Sequence, residues 1–359
     1  MIIQLGVMRT GEFMISLLLQ KHAHMLTGFA CVFLATACSA SEDQTGTKTQ
    51  ELRGGIEITG YQGVVDISVL PPGYQDVKNC TGSMISANAV LTAAHCVRWF
   101  SSWPNTGTIQ TTINYYDPET GRRQVYSGQA EWFSEPNYNP DLKNNAGRAN
   151  SDIAIVRVPK TFSNTSQDDY LGIYAGRSEN LQLILWAYGA GLYTYSGKKD
   201  DKLRAHYFNV EDVDPSHIVL DTRKKVGLCK GDSGGPLIFP YAVTGGEVGT
   251  VTGVGSSVEL FGGEPDVCAN NDWGMDDAFY SRTNMEKLGP LLRTAGQECA
   301  IETRQTIDMV VCRPMPVRAD TPFDEAPDTG ANAEPEAPTQ ARISTPQDEV
   351  AQSDMTEPE

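Results

Sequence analysis

The stretch Cys229–Pro236, which reads CKGDSGGP, sets one acid and one serine among three glycines, directly after a cysteine. In an ordinary loop such glycines are turn formers. They also allow tight turns with free backbone N–H groups and a close approach of a ligand. A serine hydroxyl becomes a useful nucleophile when the chain also supplies a base, a group that orients the base, and donors for a developing oxyanion.

Two other stretches contain residues of the required types. TAAHC (Thr92–Cys96) places His95 at the end of an apolar run, and NSDIAIVRVP (Asn150–Pro159) places Asp152 at the start of an alternating strand. Taken singly, a histidine after an apolar run is usually a core residue, and an aspartate before a strand usually forms a turn. Their occurrence together with Ser233 favours chemistry. His206 and His217 have no comparable motif, and we interpret them as structural.

The charge of the chain excludes one class of partner. The formal net charge of the 359 residues is -17, and nucleic-acid binding requires a basic footprint. The segment 319–359 carries eleven acidic residues and one arginine, so most of the excess lies in this tail. Residues 318–359 are rich in proline and poor in large apolar residues, which predicts a disordered acidic tail.

The N-terminal region predicts export. Lys21 and His22 precede the apolar stretch LTGFACVFLATA (Leu26–Ala37), which has the length of a signal-peptide core and is too short to span a bilayer. The sequence ATACSASEDQ resembles the lipobox of bacterial lipoproteins, which implies a lipid anchor on Cys38, although Ala35 stands where that motif usually has leucine. Ordinary cleavage after Ala37 is the alternative. We therefore assign 1–38 as signal peptide and 39–51 as spacer or propeptide.

The cysteines fit an exported protein. Beyond the signal region there are six, an even number that favours three disulfides, and the absence of a CxxC pair argues against zinc. Counting does not determine their connectivity. Proximity in sequence suggests two pairs and leaves a third: Cys80 with Cys96, Cys299 with Cys312, and Cys229 with Cys268.

From residue 52 to about 280 the chain consists of short β-like runs separated by turn residues. Examples are GVVDISVL, AVLTAAHCV, TIQTTINYY, LQLILWAYG and PLIFPYAV. Many short strands of this kind indicate a sandwich or a barrel. The segment Asn284–Gly296 is the best candidate for a helix, and Pro290 predicts that this helix starts or kinks there.

In this order and at these separations, TAAHC, DIAIV and GDSGGP resemble the motifs of the trypsin-like (chymotrypsin-fold) serine proteases. The resemblance covers roughly Leu52–Leu292 and implies an all-β fold of two antiparallel six-stranded β-barrels. It places a peptidase domain at 52–295, with an N-terminal barrel at about 52–170, a C-terminal barrel at about 171–283 and a helix at about 284–295. A disulfide-closed extension would follow at 296–317.

The resemblance also assigns roles to single residues. Ser233 would be the nucleophile, His95 the general base and then acid, and Asp152 the carboxylate that orients the imidazole. The N–H groups of Gly231 and Ser233 would form the oxyanion hole. The Cys80–Cys96 pair would clip the histidine loop, and the Cys229–Cys268 pair would brace the substrate pocket. LWAYGAG (Leu185–Gly191) resembles the family's GWG segment, with Tyr188 in place of tryptophan.

Asp232 has an expected partner outside its own loop. In the family this acid pairs with the new N-terminus made by activation cleavage, and LRGG (Leu52–Gly55) aligns with the family's IVGG start. Glu51 precedes it, however, so a trypsin-like activator would not cut there. Cleavage after Glu51 by another protease, cleavage after Arg53, or an uncut chain with a different partner for Asp232 all remain open.

The substrate pocket is expected to accept a small or medium apolar side chain before the scissile bond. Its base would be Gly227, where enzymes that cut after lysine or arginine carry aspartate, and an unpaired charge there is expensive. A shift in GMDDAFY that brings Asp276 or Asp277 to the pocket would restore a basic preference. The other expected pocket residues are Leu228, Ser256 beneath the triad, Val258 and Ala278.

These observations predict an exported, monomeric serine endopeptidase with protein or peptide substrates, no metal and no cofactor. The alternative is a catalytically silent protease-fold protein that binds a partner or a surface. The intact set of Ser233, His95 and Asp152 counts against it, and the unusual Glu51–Leu52 junction and Tyr188 count for it. A third possibility is that the acidic tail is the functional part. A tail deletion that left peptidase activity unchanged would exclude it.

Overall fold

The structure is a computed structural model, and it describes residues 55–58, 63–117, 122–162, 165, 169–176, 181, 184–191, 203–222, 228–243, 246–260, 275–304 and 307–316. The predicted signal peptide with Cys38, the spacer, the start at Leu52, and the acidic tail lie outside these residues. So do Gly227, Cys268 and the Glu51–Leu52 junction. In the described part, no helix has the length and apolar character needed to cross a membrane.

The first six-stranded unit is a closed antiparallel barrel in the order β2-β3-β4-β7-β6-β5. Alternate residues of its strands point inward, as in β2, where Val65, Ile67 and Val69 are fully buried. The register pairs Ile67 with Ile113 and so stacks apolar side chains in the barrel interior. Its strands are β2 (Val64–Leu70), β3 (Lys78–Ser86), β4 (Ala89–Thr92), β5 (Thr106–Asp117), β6 (Arg122–Ser134) and β7 (Ala154–Arg157).

The second unit is also closed, because β12 pairs with both β9 and β13 at the two ends of the path β9-β10-β11-β14-β13. Its interior is apolar and includes Leu185, Ile218, Leu237 and Tyr280. Two closed antiparallel barrels confirm the predicted fold class. The strands are β9 (Ile184–Gly189), β10 (Leu203–Val213), β11 (His217–Asp221), β12 (Pro236–Val243), β13 (Gly246–Leu260) and β14 (Met275–Arg282).

Four further strands extend this second sheet. A short strand, β1 (Ile56–Ile58), pairs with β10, and β8 (Gly172–Tyr174) pairs in parallel with β13. The C-terminal hairpin of β15 (Gln297–Arg304) and β16 (Ile307–Pro314) adds to β8. The hairpin occupies the segment for which the sequence predicted a disulfide-closed extension.

The C-terminal helix α3 spans Met285–Thr294, which confirms the helix predicted in this segment and excludes a start at Pro290, one of the two alternatives that the sequence left open. The helix begins earlier because Asn284 caps it: its side-chain oxygen accepts the N–H of Glu286 at 2.9 Å. Pro290 lies inside the helix, where it leaves the carbonyl of Glu286 without its usual donor. The buried face, with Leu288, Leu291 and Leu292, holds α3 in the core of the domain.

The run AVLTAAHCV, predicted as one strand, divides in two. It forms β4 to Thr92 and then the short helix α1 (Ala94–Val97), and a second short helix, α2, spans Asn145–Ala149. The disulfides Cys80–Cys96 and Cys299–Cys312 are present, which confirms both predicted pairs. Cys229 is also disulfide-bonded, and its expected partner Cys268 lies outside the described residues.

Candidate active site

His95 and Asp152 meet because two neighbouring strands end at the same edge of the first barrel. Thr92, the last residue of β4, is paired with Ala154, the first residue of β7, so α1 and the residues before β7 are adjacent. The carboxylate of Asp152 accepts two hydrogen bonds from His95. One comes from the backbone N–H, at 2.8 Å, and the other joins Nδ1 to Oδ2 at 2.6 Å. This pair is the one that the sequence predicted.

Asp152 is fully buried, and its charge is maintained by its contacts. Ser256 Oγ donates to the same Oδ2 at 2.6 Å, and Ser281 Oγ donates to the Asp152 carbonyl at 3.2 Å. Burial alone raises the pKa of the Asp152 carboxyl. The charge of His95 and the hydrogen bonds from His95 and Ser256 outweigh burial, so the pKa is lowered. The group is therefore a carboxylate at neutral pH.

Ser233 lies in the turn before β12, between the two barrels. Its carbonyl accepts the N–H of Thr81 from β3 at 2.8 Å, and it lies 3.8 Å from Sγ of Cys96, the residue after His95. The next residue, Gly234, donates to the carbonyl of Gly255, which adjoins Ser256. These contacts bring Ser233 to the same junction as the His95–Asp152 pair.

The backbone donors of this turn fall into two groups. The N–H groups of Asp232, Gly234 and Gly235 all donate to backbone carbonyls. Those of Gly231 and Ser233, in contrast, donate to no acceptor within the described residues. Two unpaired N–H groups on alternate residues, next to a half-buried serine, can receive a negatively charged oxygen.

Thr81 helps to shape this turn, and sequence reasoning missed it. Its Oγ1 donates to the carbonyl of Gly231 at 2.8 Å and accepts the N–H of Ala190 at 3.0 Å. One buried hydroxyl thus connects the Ser233 turn to the loop after β9. The position of Thr81 directly after Cys80 was a signal in the sequence, but its role depends on contacts more than 100 residues away.

Asp232 is fully buried, and its carboxylate is bonded on both oxygens. Oδ1 accepts the N–H of Gly191 at 2.9 Å, and Oδ2 accepts the N–H of Cys229 at 2.7 Å. Arg204 is nearly buried and lies opposite Gly189 in the strand register. Burial lowers the pKa of Arg204, and the negative charge of Asp232 acts against this shift. A cation of the chain itself therefore interacts with the acid whose partner the sequence left open.

Three of the five expected pocket residues, Leu228, Val258 and Ala278, come together in the second barrel. Val258 is paired with Ala278, and both pack in the apolar cluster that contains Leu228. Tyr280 belongs to the same cluster, and its buried hydroxyl has no hydrogen-bond partner in the described part of the chain. Asp277 precedes the fully buried Ala278 and therefore lies on the opposite face of β14.

Lys78 is a second residue that sequence reasoning missed. Its Nζ donates to the carbonyl of His95 at 2.6 Å and lies 5.6 Å from the ring centroid of Trp99. Burial lowers the pKa of Lys78 to about 8, while the charge of Asp152 raises it and that of Arg148 lowers it further. The Lys78 ammonium thus stabilises the histidine loop through its backbone, although burial makes the charged form of the lysine less favourable.

We expect Lys78 to make the free energy of unfolding depend on pH. Its pKa of about 8 lies below the usual value of 10.5, so between these pH values the unfolded chain binds more protons. The free energy of unfolding should therefore rise with pH in this window. Lys78→Met removes the effect. The measurement is urea unfolding at pH 7 and 10 in a Ser233→Ala background, which prevents self-digestion.

The exposed Lys160 provides the control for the loss of one positive charge. The stability difference between the parent and Lys78→Met should change from pH 7 to 10, in favour of the parent at high pH. For Lys160→Met it should stay constant. A constant difference for Lys78→Met would contradict a buried, destabilised ammonium.

Comparison with known proteins identifies the family. The sequence model of the family described as Trypsin matches residues 60–271, which is more than half of the chain. The chain belongs to the trypsin family. This confirms the family resemblance of the three motifs.

Relatives in the trypsin family include animal and bacterial proteins. The chain is 26% identical to a collagenase of Hypoderma lineatum over 234 residues, which cover 59% of this chain and 82% of the relative. It is 26% identical to brachyurin of Leptuca pugilator over 216 residues, covering 56% and 86%. It is also 26% identical to an uncharacterized peptidase of Corynebacterium glutamicum over 168 residues, covering 46% and 51%. Family membership makes the chain a peptidase whose substrates are proteins or peptides.

Proposed function

We propose that this chain is an exported serine endopeptidase in which Ser233 attacks the substrate, His95 transfers the proton and Asp152 orients His95. One observation carries the proposal. The hydrogen-bonded His95–Asp152 pair lies beside a turn in which the N–H groups of Gly231 and Ser233 have no acceptor in the described residues. A base with its orienting carboxylate and two free donors around one serine are the parts that acyl transfer requires.

The proposed reaction has two halves. Ser233 Oγ bonds to the scissile carbonyl carbon while its proton moves to Nε2 of His95. His95 then gives this proton to the leaving nitrogen as the C–N bond breaks, which leaves an acyl-enzyme. Water repeats the sequence in the second half: its proton goes to His95, its oxygen displaces Ser233, and Ser233 regains a proton.

Asp152 and the turn stabilise the charges that develop. Because its pKa is lowered, Asp152 stays ionised and favours the imidazolium that forms during attack. The hydrogen bond to Nδ1 leaves Nε2 as the position that exchanges protons with the substrate. The Gly231 and Ser233 N–H groups would stabilise the oxyanion in a site where water no longer competes.

Further proposals concern the substrate specificity, the export and the activation of the chain. The proposed pocket, with Gly227 at its base and Leu228, Ser256, Val258 and Ala278 around it, takes a small or medium apolar side chain. Residues 1–38 are proposed to direct export, with Cys38 as the lipid anchor. For activation, either the α-amino group of Leu52 pairs with Asp232, or Arg204 serves as its cation in the uncut chain.

The test is covalent labelling of the exported protein with a fluorophosphonate probe, beside a Ser233→Ala control. We expect the wild type to be labelled and the variant to remain unlabelled, because the probe reacts with activated serines. N-terminal sequencing of the labelled species then distinguishes Leu52 as the mature start from an uncut active chain. A folded wild type that is not labelled would contradict the proposal and favour the silent binding protein.

A further inference from the structure

The C-terminal hairpin ends the second sheet in an exposed edge strand. Strand β15 (Gln297–Arg304) pairs with β16 and with no other strand of the described residues. Its eight residues contain no proline and pair with β16 without a bulge. Both faces of the strand reach solvent, because Ala300 on one face and Ile301 on the other are exposed, Ile301 to 70%. A long, regular edge strand of this kind is a template for pairing with another chain.

The hydrogen bonds of the hairpin determine which residues face the free edge, the side of β15 opposite β16. Met315 donates its N–H to the carbonyl of Gly296 at 2.8 Å, so Gly296 and every second residue after it are bonded to β16. The Cα atoms of Cys299 and Cys312 lie 4.1 Å apart, a short distance typical of a pair without such bonds. The residues between the bonded ones point their N–H and C=O groups toward the free edge, and they are Cys299, Ile301 and Thr303.

Charge favours one register for pairing a second copy of β15 with this edge. In a symmetric antiparallel pair, an edge-facing residue must lie opposite an edge-facing residue of the other copy. A pair centred on Ile301 meets this condition and places Glu298 of each copy opposite Arg304 of the other. A pair centred on Ala300 places Glu298 opposite Glu302, and a pair centred on Glu302 places this residue opposite itself. Like charges directly opposite each other are destabilising, and registers centred further along leave less of the strand paired.

The register centred on Ile301 also buries apolar surface. Ile301 would lie opposite its own copy, so both exposed side chains would leave water. Its face of the hairpin continues the core, because Ile301 is paired with Val310, which is 2% exposed. On the other face, the half-buried Arg304 lies 3.2 Å from Glu302 of its own strand. Its guanidinium is therefore on the face where Glu298 of the second copy would arrive.

We propose that two copies of this chain associate through β15, in an antiparallel pair centred on Ile301. The sheets of the two copies would join into one continuous sheet, and each edge-facing residue would exchange both backbone hydrogen bonds with its partner. A second copy fits this edge because the strand is complementary to itself in hydrogen bonding, charge and apolar contact. The dimer would take the place of the monomer that the sequence predicted, and it does not depend on the proposed peptidase activity.

The test is sedimentation of the purified chain in the Ser233→Ala background, over a range of protein concentrations. We expect a reversible dimer with a Kd of roughly micromolar size, as suits a small interface. Glu298→Arg and Arg304→Glu each place like charges opposite each other at both symmetric positions, so each should raise Kd by about tenfold or more. Lys160→Glu, which alters an exposed residue outside the hairpin, should leave Kd unchanged.

A mixture of the two charge variants tests the register directly. In a pair of one Glu298→Arg chain and one Arg304→Glu chain, opposite charges again face each other at both positions. The mixture should therefore associate about as tightly as the parent chain does with itself. This result requires residues 298 and 304 of different copies to be neighbours.

A third variant tests the backbone. Ile301→Pro removes an edge-facing N–H that the hairpin does not use, so it should raise Kd while β15 stays paired with β16. The Cys299–Cys312 disulfide holds the hairpin in every variant. Glu298 is paired with Arg313 in the hairpin, so Glu298→Arg is the variant most exposed to misfolding. Arg304→Glu and Ile301→Pro keep the test decisive if it does not fold.

The inference would be overturned by a parent chain that stays monomeric at about 0.1 mM, far above the expected Kd. It would equally be overturned by a dimer that Arg304→Glu and Ile301→Pro leave unchanged, because another surface would then be responsible. Failure of the mixed charge variants to associate would exclude the register. A monomer that dimerises only after removal of residues 318–359 would mean that the tail covers β15, which also contradicts the proposal. None of these results bears on the proposed function, which fluorophosphonate labelling tests separately.

Discussion

Asp152→Asn is expected to lower kcat for peptide hydrolysis by about 10^4-fold, the magnitude known for this substitution in serine-protease triads. The carboxylate accepts from the His95 backbone, from His95 Nδ1 and from Ser256. An amide has only one acceptor oxygen, so either its NH2 group faces Nδ1, which selects the wrong tautomer, or it faces other donors. The measurement is kcat and KM with an internally quenched peptide, normalised to correctly folded enzyme.

Ser256→Ala is the matched control for this prediction. It removes one donor from Oδ2 but leaves both contacts between Asp152 and His95. The pKa of Asp152 should rise, because one hydrogen bond that lowers it is lost. We expect a far smaller loss of kcat than for Asp152→Asn. Equal losses for the two variants, or near-normal activity of Asp152→Asn, would contradict the role proposed for Asp152.

Gly234→Ala is expected to lower the free energy of unfolding by about 3 kcal/mol or more and to abolish activity. The backbone of Gly234 has a φ of +83°, and an added Cβ would lie 2.1 Å from Thr92 Oγ1 and 2.4 Å from the carbonyl oxygen of Thr81. Neither atom can move freely, because Thr92 Oγ1 donates to that same carbonyl. The whole turn around Ser233 would have to shift. Urea unfolding in the Ser233→Ala background measures the loss.

Gly73→Ala separates backbone strain from the steric clash. Gly73 has nearly the same φ, +82°, but nothing lies within 4 Å of its added Cβ. This variant should lose only the cost of the left-handed conformation, roughly 1–2 kcal/mol, and should keep its activity. If Gly73→Ala and Gly234→Ala lost the same free energy, the packing around the Ser233 turn would contribute nothing.

The residues of the candidate site were predictable because each has a local signal. Ser233 lies in a glycine-rich turn, His95 follows an apolar run, and Asp152 lies two residues before the start of β7. Pairing with a carboxylate would not have distinguished His95, since His217 Nδ1 also lies 2.8 Å from Asp214 Oδ2, three residues away. What separated the two histidines was the motif around each one.

Other predictions failed or were missing where local pattern competes with distant contacts. The proline in α3 suggested that the helix starts or kinks at Pro290, and the cap at Asn284 and the buried leucines place the start at Met285. Strands β6 and β10 carry many polar residues, and the alternation of apolar positions along them is weak. Their place in the barrels depends on neighbouring strands, because a strand is stabilised largely by its cross-strand partners.

The sequence by itself indicated an all-β fold of short strands and suggested the two described disulfide pairs, and the family resemblance of three short motifs predicted the two barrels and the residues of the candidate site. These predictions follow from strand-like runs, from proximity in sequence and from motifs, in all of which each residue's neighbours in the chain carry the information. Only the tertiary structure decided the supporting contacts: Thr81 with Gly231, Lys78 with His95, and the interaction of Arg204 with Asp232. The physical reason is that hydrogen bonds, burial and electrostatic interactions act between residues that are far apart in the chain. Closure of the barrels is what brings these residues together.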